Sequence, residues 1–142
     1  MSTALDQLLT ANQNFYTAFE SMTYADMAAV WAQRPDDCCI HPGWEILRGW
    51  REIRESWRAI FSGTSFVRIE LTGVSAEIHG RVGRVVCVEN LLSVVNSQAI
   101  HSQVACTNLF LLTDDGWRLT LHHGSPIASQ PVMVNEVDLD VN

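Results

Sequence analysis

The chain has 142 residues, 47% of them hydrophobic, and a formal net charge of −7. A chain of this size buries about two thirds of the surface that it exposes when unfolded, so we expect residues 1–142 to form one domain with one core. Every basic residue is an arginine and acidic residues outnumber them. This charge balance argues against nucleic acid as a partner, because a phosphate backbone requires a basic surface.

No apolar run approaches the roughly 20 residues of a membrane-spanning helix, and residues 1–7 lack the basic and apolar regions of a secretory signal. We therefore expect a soluble, cytoplasmic protein with no membrane partner. The cysteines are Cys38, Cys39, Cys87 and Cys106. Without a secretory signal, they are interpreted as reduced, buried small residues rather than as disulfides.

The first half of the chain predicts three helices. Apolar residues recur every three or four positions after Thr3, which is a typical helix start because its hydroxyl can accept a backbone N–H. A second, shorter helix is expected to begin at Thr23 in the same way and to end before Pro35. The third helix is expected from Trp50 to Phe61, with charged residues on its outer face.

The second half predicts an antiparallel meander, which follows one short strand at Cys38–Ile40. From Ser65 onward apolar and polar residues alternate, and Gly73 marks a change of parity where a bulge would bend the strand. Later strands are expected at residues 82–95, 99–112 and 117–123. Helices followed by an antiparallel sheet give an α+β fold.

Two strand segments, 85–88 and 109–112, are apolar at every position. Both faces of the sheet must therefore be covered, and three helices cover only one of them. A second copy of the chain on the other face is the simplest explanation, so we expect a homodimer through the sheet face. The alternative is that the acidic tail, in which residues 131–142 alternate apolar and polar side chains, folds back as a strand.

Two motifs carry a resemblance to a known family. They are Cys39 to Trp50, with the sequence CIHPGWEILRGW, and Gly116 to Pro126, with the sequence GWRLTLHHGSP. Together with the order of elements, they resemble SnoaL-like proteins of the nuclear transport factor 2-like, or ketosteroid isomerase-like, superfamily. The resemblance covers about residues 5–127 and leaves 128–142 as a tail. It implies a cone in which three N-terminal helices pack in the concave face of a curved, mostly antiparallel sheet around an apolar cavity.

This superfamily includes ketosteroid isomerase, polyketide cyclases, dehydratases and non-catalytic modules, so the pocket residues must decide the function. In ketosteroid isomerase a tyrosine of the first helix and a protonated acid of a late strand donate to the oxyanion, while an aspartate before a proline moves the proton. Tyr16 matches the tyrosine, His41 replaces the aspartate before Pro42, and Asn108 replaces the strand acid. Two departures in three positions argue against steroid isomerisation.

His41 is the candidate general base, since an imidazole with a pKa near 6.5 exchanges protons at neutral pH. With Tyr16 and Asn108 as donors to a developing oxyanion, it would support proton abstraction, dehydration or cyclisation of an apolar or polycyclic carbonyl compound. Such an enzyme would be a cofactor-independent lyase or isomerase. The alternative is that His41 only caps its loop by bonding to the backbone.

Glu89 interrupts the apolar run of residues 85–95, where a carboxylate must find a partner or titrate at higher pH. It is therefore a candidate ligand-binding residue. The alternative is a solvent-facing or interface glutamate. The pattern does not decide between Glu89 and Asn90, because a slip of one residue exchanges the two faces of a strand.

His122 and His123 are adjacent, so on a strand they point to opposite faces and cannot hold one metal together. His123 shares its parity with Trp117, Leu119 and Leu121, which predicts that His123 faces the ligand. Three aromatic residues complete the predicted ligand-binding set, and they are Trp44, Trp57 and Phe110.

The chain has no glycine-rich phosphate loop, no Gly-x-Ser-x-Gly elbow and no Cys-x-x-Cys pair. We accordingly expect no cofactor and no metal. Three classes of function remain. An acid–base enzyme requires a pocket-facing His41 with a second polar group in reach, a binding module has its polar groups paired internally, and an assembly module has its cavity filled by side chains such as Trp57 and Phe110.

Overall fold

A computed structural model describes residues 2–128. The helices are α1 (Ala4–Ser21), α2 (Tyr24–Val30) and α3 (Trp50–Gly63), and the strands are β1 (Cys38–Ile40), β2 (Leu47–Arg48), β3 (Phe66–His79), β4 (Val82–Val95), β5 (Gln98–Thr113) and β6 (Gly116–Pro126). No helix in this range is long and apolar enough to cross a membrane. The alternating segment 131–142 lies outside the described residues.

Helix α1 begins as the sequence predicts. The Thr3 hydroxyl accepts the Asp6 N–H at 3.0 Å, and the Asp6 carboxylate accepts the Thr3 N–H at 3.2 Å. This reciprocal pair satisfies two backbone groups that the first turn would otherwise leave without partners. Thr23 also precedes its helix, but its side chain makes no capping hydrogen bond. Its hydroxyl lies 3.1 Å from that of Ser21 instead, so the second predicted cap is wrong.

Helix α2 ends at Val30, earlier than the expected stop before Pro35. The chain leaves the helix at Trp31, which forms a parallel bridge with Leu119 of β6. The N–H of Ala32 then donates to the Leu119 carbonyl at 2.8 Å. Pairing with the sheet therefore ends this helix before the proline can do so.

The six strands form one curved sheet in the order β2-β1-β6-β5-β4-β3. Strands β1 and β6 are parallel, and the other neighbours are antiparallel. The sequence did not predict β2, because two residues are too short to show an alternation. The expected α+β architecture of three helices and an antiparallel meander is confirmed.

Two bulges bend the long strands. The register of β3 shifts between Thr72 and Ser75, and Gly73 has a φ of +60°, so the bulge expected from its parity change is confirmed. A second bulge was not expected. Leu121 pairs with Leu109 and Leu119 pairs with Phe110, so one extra residue stands between them in β6. All positions after this bulge exchange faces.

Helix α1 lies in the concave face of the sheet and forms the core with α3. The core contains aromatic residues in edge-to-face contact, with the rings of Phe15 and Trp57 5.8 Å apart. The approach of α1 to β4 is close, since a Cβ atom at Gly83 would lie 2.6 Å from a methyl carbon of Leu8. Such packing fixes the first helix against the strands that carry the polar residues described next.

Candidate functional site

A cleft of about 810 Å³ opens where the β4–β5 hairpin extends beyond the helices. Its inner wall is mostly apolar and aromatic, with Phe19, Trp44, Ile60, Leu91 and Val104. Three titratable side chains line the same wall, namely His41, Glu89 and His122. Other lining residues come from the opposite face of the hairpin, where Glu70, Asn90 and Gln103 pair in one cross-strand row.

Glu89 faces inward and is 2% exposed. Asn90 lies on the opposite face and donates from Nδ2 to the Glu70 carbonyl at 2.9 Å, which answers the question that the alternation left open. The Tyr16 hydroxyl donates to Glu89 Oε2 at 2.5 Å. Burial raises the pKa of Glu89 above its ordinary value, although the bonds from Tyr16 and Cys106 act in the opposite direction.

Tyr16 and Asn108 lie one layer below the cleft and do not line it. Asn108 Nδ2 donates to Asn12 Oδ1 at 2.9 Å and to Tyr16 Oη at 3.1 Å. Burial raises the pKa of the Tyr16 phenol, which therefore stays neutral. The donors of both residues are used within the protein, so the structure does not place them as the expected oxyanion donors in contact with a ligand.

His122 is the inward histidine, which corrects the prediction for His123. His122 is 1% exposed, whereas His123 is exposed on the outer face. The reason is the bulge in β6, which shifts the parity after Leu119. One signal in the sequence was Gly124, which shares the parity of His122 and whose Cβ atom would lie 2.9 Å from Val104. A glycine at a crowded position marks the inward side of a strand.

The hydrogen bonds define which nitrogen of His122 carries the proton. Nδ1 lies 2.7 Å from Asn108 Oδ1. Since the Asn108 amide group donates to Asn12 and Tyr16, its Oδ1 must be an acceptor, and His122 Nδ1 is the donor. The other nitrogen, Nε2, is left as an acceptor. Burial lowers the pKa of His122 to about 3, so the ring is neutral at physiological pH.

His41 lines the cleft and is 4% exposed. Its Nε2 lies 2.8 Å from Ser56 Oγ, and that hydroxyl donates its only hydrogen to the Ile53 carbonyl at 2.6 Å. His41 Nε2 is therefore the donor, and Nδ1 is left as an acceptor. Burial lowers the pKa of His41 to about 4. Its ring bonds to a serine side chain and does not cap the loop backbone.

The predicted aromatic contacts divide into two groups. Trp44 lines the cleft, is 44% exposed, and lies edge-on to His41 with the rings 4.8 Å apart. Trp57 and Phe110 are buried in the core and do not line the cleft. Of the predicted ligand-binding residues, Trp44 and Glu89 are therefore placed at the cleft, and Trp57, Phe110 and His123 are not.

Three side chains are close enough to share a metal ion, which the sequence did not indicate. Glu89, Cys106 and His122 each offer a ligand atom within 4.8 Å of the others. The Cys106 sulfur lies 3.3 Å from Asn108 Oδ1 and 3.5 Å from His122 Nδ1. The hydrogen bond with Cys87, together with burial and the nearby carboxyl of Glu89, raises the pKa of Cys106, which disfavours the thiolate that a metal requires.

Comparison with solved structures supports this architecture. A structure from Streptomyces avermitilis, named as a "putative dehydratase" of the NTF2-like family, is 32% identical, covers 88% of this chain and 96% of its own, and gives a TM-score of 0.83. A calcium/calmodulin-dependent protein kinase type II association domain from Thiobacillus denitrificans, also named as putative, is 31% identical, covers 83% and 93%, and gives 0.74. A nuclear transport factor 2-like protein from Salmonella enterica is 18% identical, covers 91% and 94%, and gives 0.82.

No protein with curated function matches this chain. The sequence model of the SnoaL-like domain matches residues 8–129, which include every helix and strand except the first turn of α1. The relatives carry different names on one fold, so function must be argued from the cleft. The chain belongs to the SnoaL-like domain family of the NTF2-like superfamily.

Proposed function

We propose that this protein is a cofactor-independent acid–base catalyst of the lyase or isomerase type that acts on a neutral, apolar carbonyl compound. The observation that carries the proposal is that one cleft contains both groups that can accept a proton and a group that can donate one. His41 and His122 are neutral acceptors, and Glu89 is a carboxyl group whose pKa is raised by burial. Groups with separated pKa values are the usual basis of acid and base roles.

Dehydration of a β-hydroxy ketone illustrates the chemistry. His41 Nδ1 removes a proton from the carbon next to the carbonyl, and the electron pair of that C–H bond forms the new C=C bond. The C–O bond of the hydroxyl breaks as Glu89 gives it a proton, and water leaves. His122 Nε2 accepts a hydrogen bond from the same hydroxyl, which orients its oxygen toward Glu89. His41 gains one proton and Glu89 loses one, so the step is balanced without a cofactor.

The character of the inner wall supports a neutral substrate. Arg68, the one arginine among the lining residues, belongs to the outward parity of β3, opposite Leu92. A carboxylate or phosphate would have no cationic partner beside Glu89 and His122. Trp44, half exposed at the mouth, offers a ring face to a flat or polycyclic body. The 32% identical relative named as a dehydratase is in keeping with this class of reaction.

The direct test is turnover of a panel of neutral aromatic and alicyclic β-hydroxy ketones, followed by the ultraviolet absorbance of the unsaturated product. We expect Glu89→Gln and His41→Gln to lower kcat by about 10²- to 10⁴-fold, as the loss of general acid–base catalysis does. Glu77→Gln is the matched control, since Glu77 is exposed on the neighbouring strand β3 and does not line the cleft. Equal rates for Glu89→Gln and Glu77→Gln would contradict the proposal.

We also propose that the protein forms a homodimer through the outer face of the sheet. Val86, 38% exposed, lies there beside Val88, Ala105 and Leu109, as the strand register requires. A contiguous apolar surface of this kind is typical of an interface. The relative from Thiobacillus denitrificans is named as an association domain, which supports self-assembly.

Sedimentation velocity tests the dimer. Val86→Arg is expected to convert a dimer to a monomer, because a buried arginine without a partner is unfavourable at an interface. The control is Leu5→Arg, which changes an equally exposed leucine on α1. A wild-type monomer at micromolar concentration, or a Val86→Arg dimer, would show that the outer face has another role.

The unpaired state of all four cysteines supports the cytoplasm as the location.

A further inference from the structure

A continuous chain of hydrogen bonds connects His122 to Glu89 beneath the cleft. It runs from His122 Nδ1 to Asn108 Oδ1, from Asn108 Nδ2 to Tyr16 Oη, and from the Tyr16 hydroxyl to Glu89 Oε2. The distances are 2.7, 3.1 and 2.5 Å. All four side chains are at most 2% exposed, so water does not compete for these bonds.

The direction of this chain is determined by counting protons. The Asn108 amide group has a second acceptor, Asn12 Oδ1 at 2.9 Å, which requires its NH₂ to face α1 and its oxygen to face β6. The Tyr16 hydroxyl accepts from Asn108, so it has one hydrogen to donate. The acceptors in reach of that hydrogen include Glu89 Oε2 at 2.5 Å and Cys106 Sγ at 3.4 Å, and the short contact to the carboxyl oxygen takes it because sulfur is the weaker acceptor. Every donor in the chain points away from His122 and toward Glu89.

We propose that Asn108 and Tyr16 are positioning residues that hold His122 and Glu89 in a one-way hydrogen-bond chain, so that His122 presents Nε2 as an acceptor and protonated Glu89 presents its proton on Oε1. This inference rests on the proposed acid–base function and specifies how the site is prepared for it. The resemblance to ketosteroid isomerase implied that Tyr16 and Asn108 contact the substrate. Here they act through their neighbours instead.

The consequence for Glu89 follows from the occupation of Oε2. Because Oε2 accepts from Tyr16, a proton bound to the carboxyl resides on the other oxygen, Oε1. The Glu89 side chain that carries this oxygen lines the cleft. The other titratable groups that face Glu89 are Cys106 from β5 and His122 from β6, with Cys87 on β4 itself. None of them is a cation at neutral pH, so none competes with Tyr16 in orienting the carboxyl.

The experiment uses the full chain labelled with ¹⁵N in histidine, without any ligand. Long-range proton–nitrogen NMR spectra report which ring nitrogen carries hydrogen, and His122→Gln identifies the signal. From about pH 5 to about pH 8 we expect His122 to be a single tautomer with hydrogen on Nδ1. Hydrogen on Nε2, or an equal mixture, would mean that the chain is reversed and would overturn the proposal. His123→Gln is the control and should leave the His122 signal unchanged.

Two variants separate the two ends of the chain. Tyr16→Phe keeps the packing and removes the donor to Oε2, so the titration midpoint of Glu89, followed by ¹³C NMR of its carboxyl, should move to higher pH while His122 keeps its tautomer. Asn108→Ala should give a mixture of His122 tautomers. Asn108→Asp should restore the tautomer, because its carboxylate accepts from Nδ1, without restoring the donor to Tyr16. An unchanged Glu89 midpoint in Tyr16→Phe would show that Tyr16 only fills space.

These results are independent of turnover. If the His122 tautomer and the Glu89 shift are as expected but no ketone is converted and no α-proton exchanges with deuterium, the proposed function fails and the positioning inference stands. If turnover depends on Glu89 but His122 carries hydrogen on Nε2, the positioning inference alone fails.

Discussion

The two faces of the sheet break the usual rule of burial in opposite ways. The inner face buries Glu89, Asn108 and His122 in the core, where apolar residues are the norm. The outer face exposes Val86, and Leu109 lies half-buried on the same side, where polar residues are the norm. On the inner face Glu89, Asn108 and His122 are joined through Tyr16 by hydrogen bonds, whereas the outer face has no cover within residues 2–128.

This difference supports the two proposals separately. A buried polar network stabilises a fold less than an apolar core of the same shape would, so its presence at the base of a cleft indicates chemistry. An exposed apolar surface indicates association. We therefore propose proton transfer at the inner face and self-assembly at the outer face.

The largest expected effect is on the inner network. Asn108→Ala removes an acceptor for His122 and a donor to both Asn12 and Tyr16, and it leaves these groups buried without partners. We expect the free energy of unfolding to fall by about 3 to 5 kcal/mol. Thr107→Ala, one residue earlier on the outer parity, should change it by about 0.5 kcal/mol or less. Urea denaturation of both variants makes the comparison, and equal losses would contradict the contrast between the faces.

The next effect is a loss of stability in acid. The pKa of His41 is about 4 and that of His122 about 3 in the folded protein, against about 6.5 in the unfolded chain. Below about pH 6.5 the unfolded state binds more protons, so the free energy of unfolding falls as pH decreases, by up to about 1.4 kcal/mol per pH unit for each ring. Glu89, whose folded pKa is raised, partly offsets this fall.

Urea denaturation across this pH range, repeated on His122→Gln, isolates one ring. The variant should lose about half of the pH dependence, because only His41 still changes protonation on unfolding. His123→Gln is the matched control, since His123 is exposed on the outer face of the same strand. A wild-type protein whose stability does not change between about pH 6.5 and about pH 4.5 would mean that the two rings are solvated.

The smallest effect concerns the packing that holds α1 over the inner face. Gly83→Ala places a Cβ atom 2.6 Å from Leu8, a contact that requires the leucine or the helix to shift. We expect a loss of about 1 to 3 kcal/mol in the free energy of unfolding. Gly63→Ala, where a Cβ atom meets nothing within 4 Å, is the control and should be close to neutral. A fully stable Gly83→Ala would show that α1 is less tightly seated than the structure indicates.

Much of the fold is predictable from local patterns. The stripe of α1, the Thr3 cap and the parity change at Gly73 depend on neighbouring residues, and each is confirmed. The early end of α2 depends on the bridge to Leu119, which lies far outside a local sequence window. Strand β2 has two residues, which are too few to show an alternation. Local patterns therefore predict the positions of helices and strands better than they predict where each one ends.

The site was harder to predict because a bulge reverses which residues of a strand face inward, and the alternation alone does not reveal the bulge. One extra residue in β6 exchanged His122 with His123, and the same ambiguity left Glu89 and Asn90 unresolved. The stripe of α1 correctly placed Tyr16 in the interior, but periodicity does not show which layer a side chain reaches. Its partner is Glu89 rather than a ligand.

Acid–base chemistry in this cleft is tested most directly by the pH titration of the Glu89 carboxyl in the wild-type protein by ¹³C NMR, with Glu89→Gln for assignment. Because burial raises the pKa of Glu89, we expect it to titrate above the ordinary range of a glutamate, while His41 and His122 remain neutral through the same range. A Glu89 that titrates within or below the ordinary glutamate range would contradict the assignment of this cleft as an acid–base site.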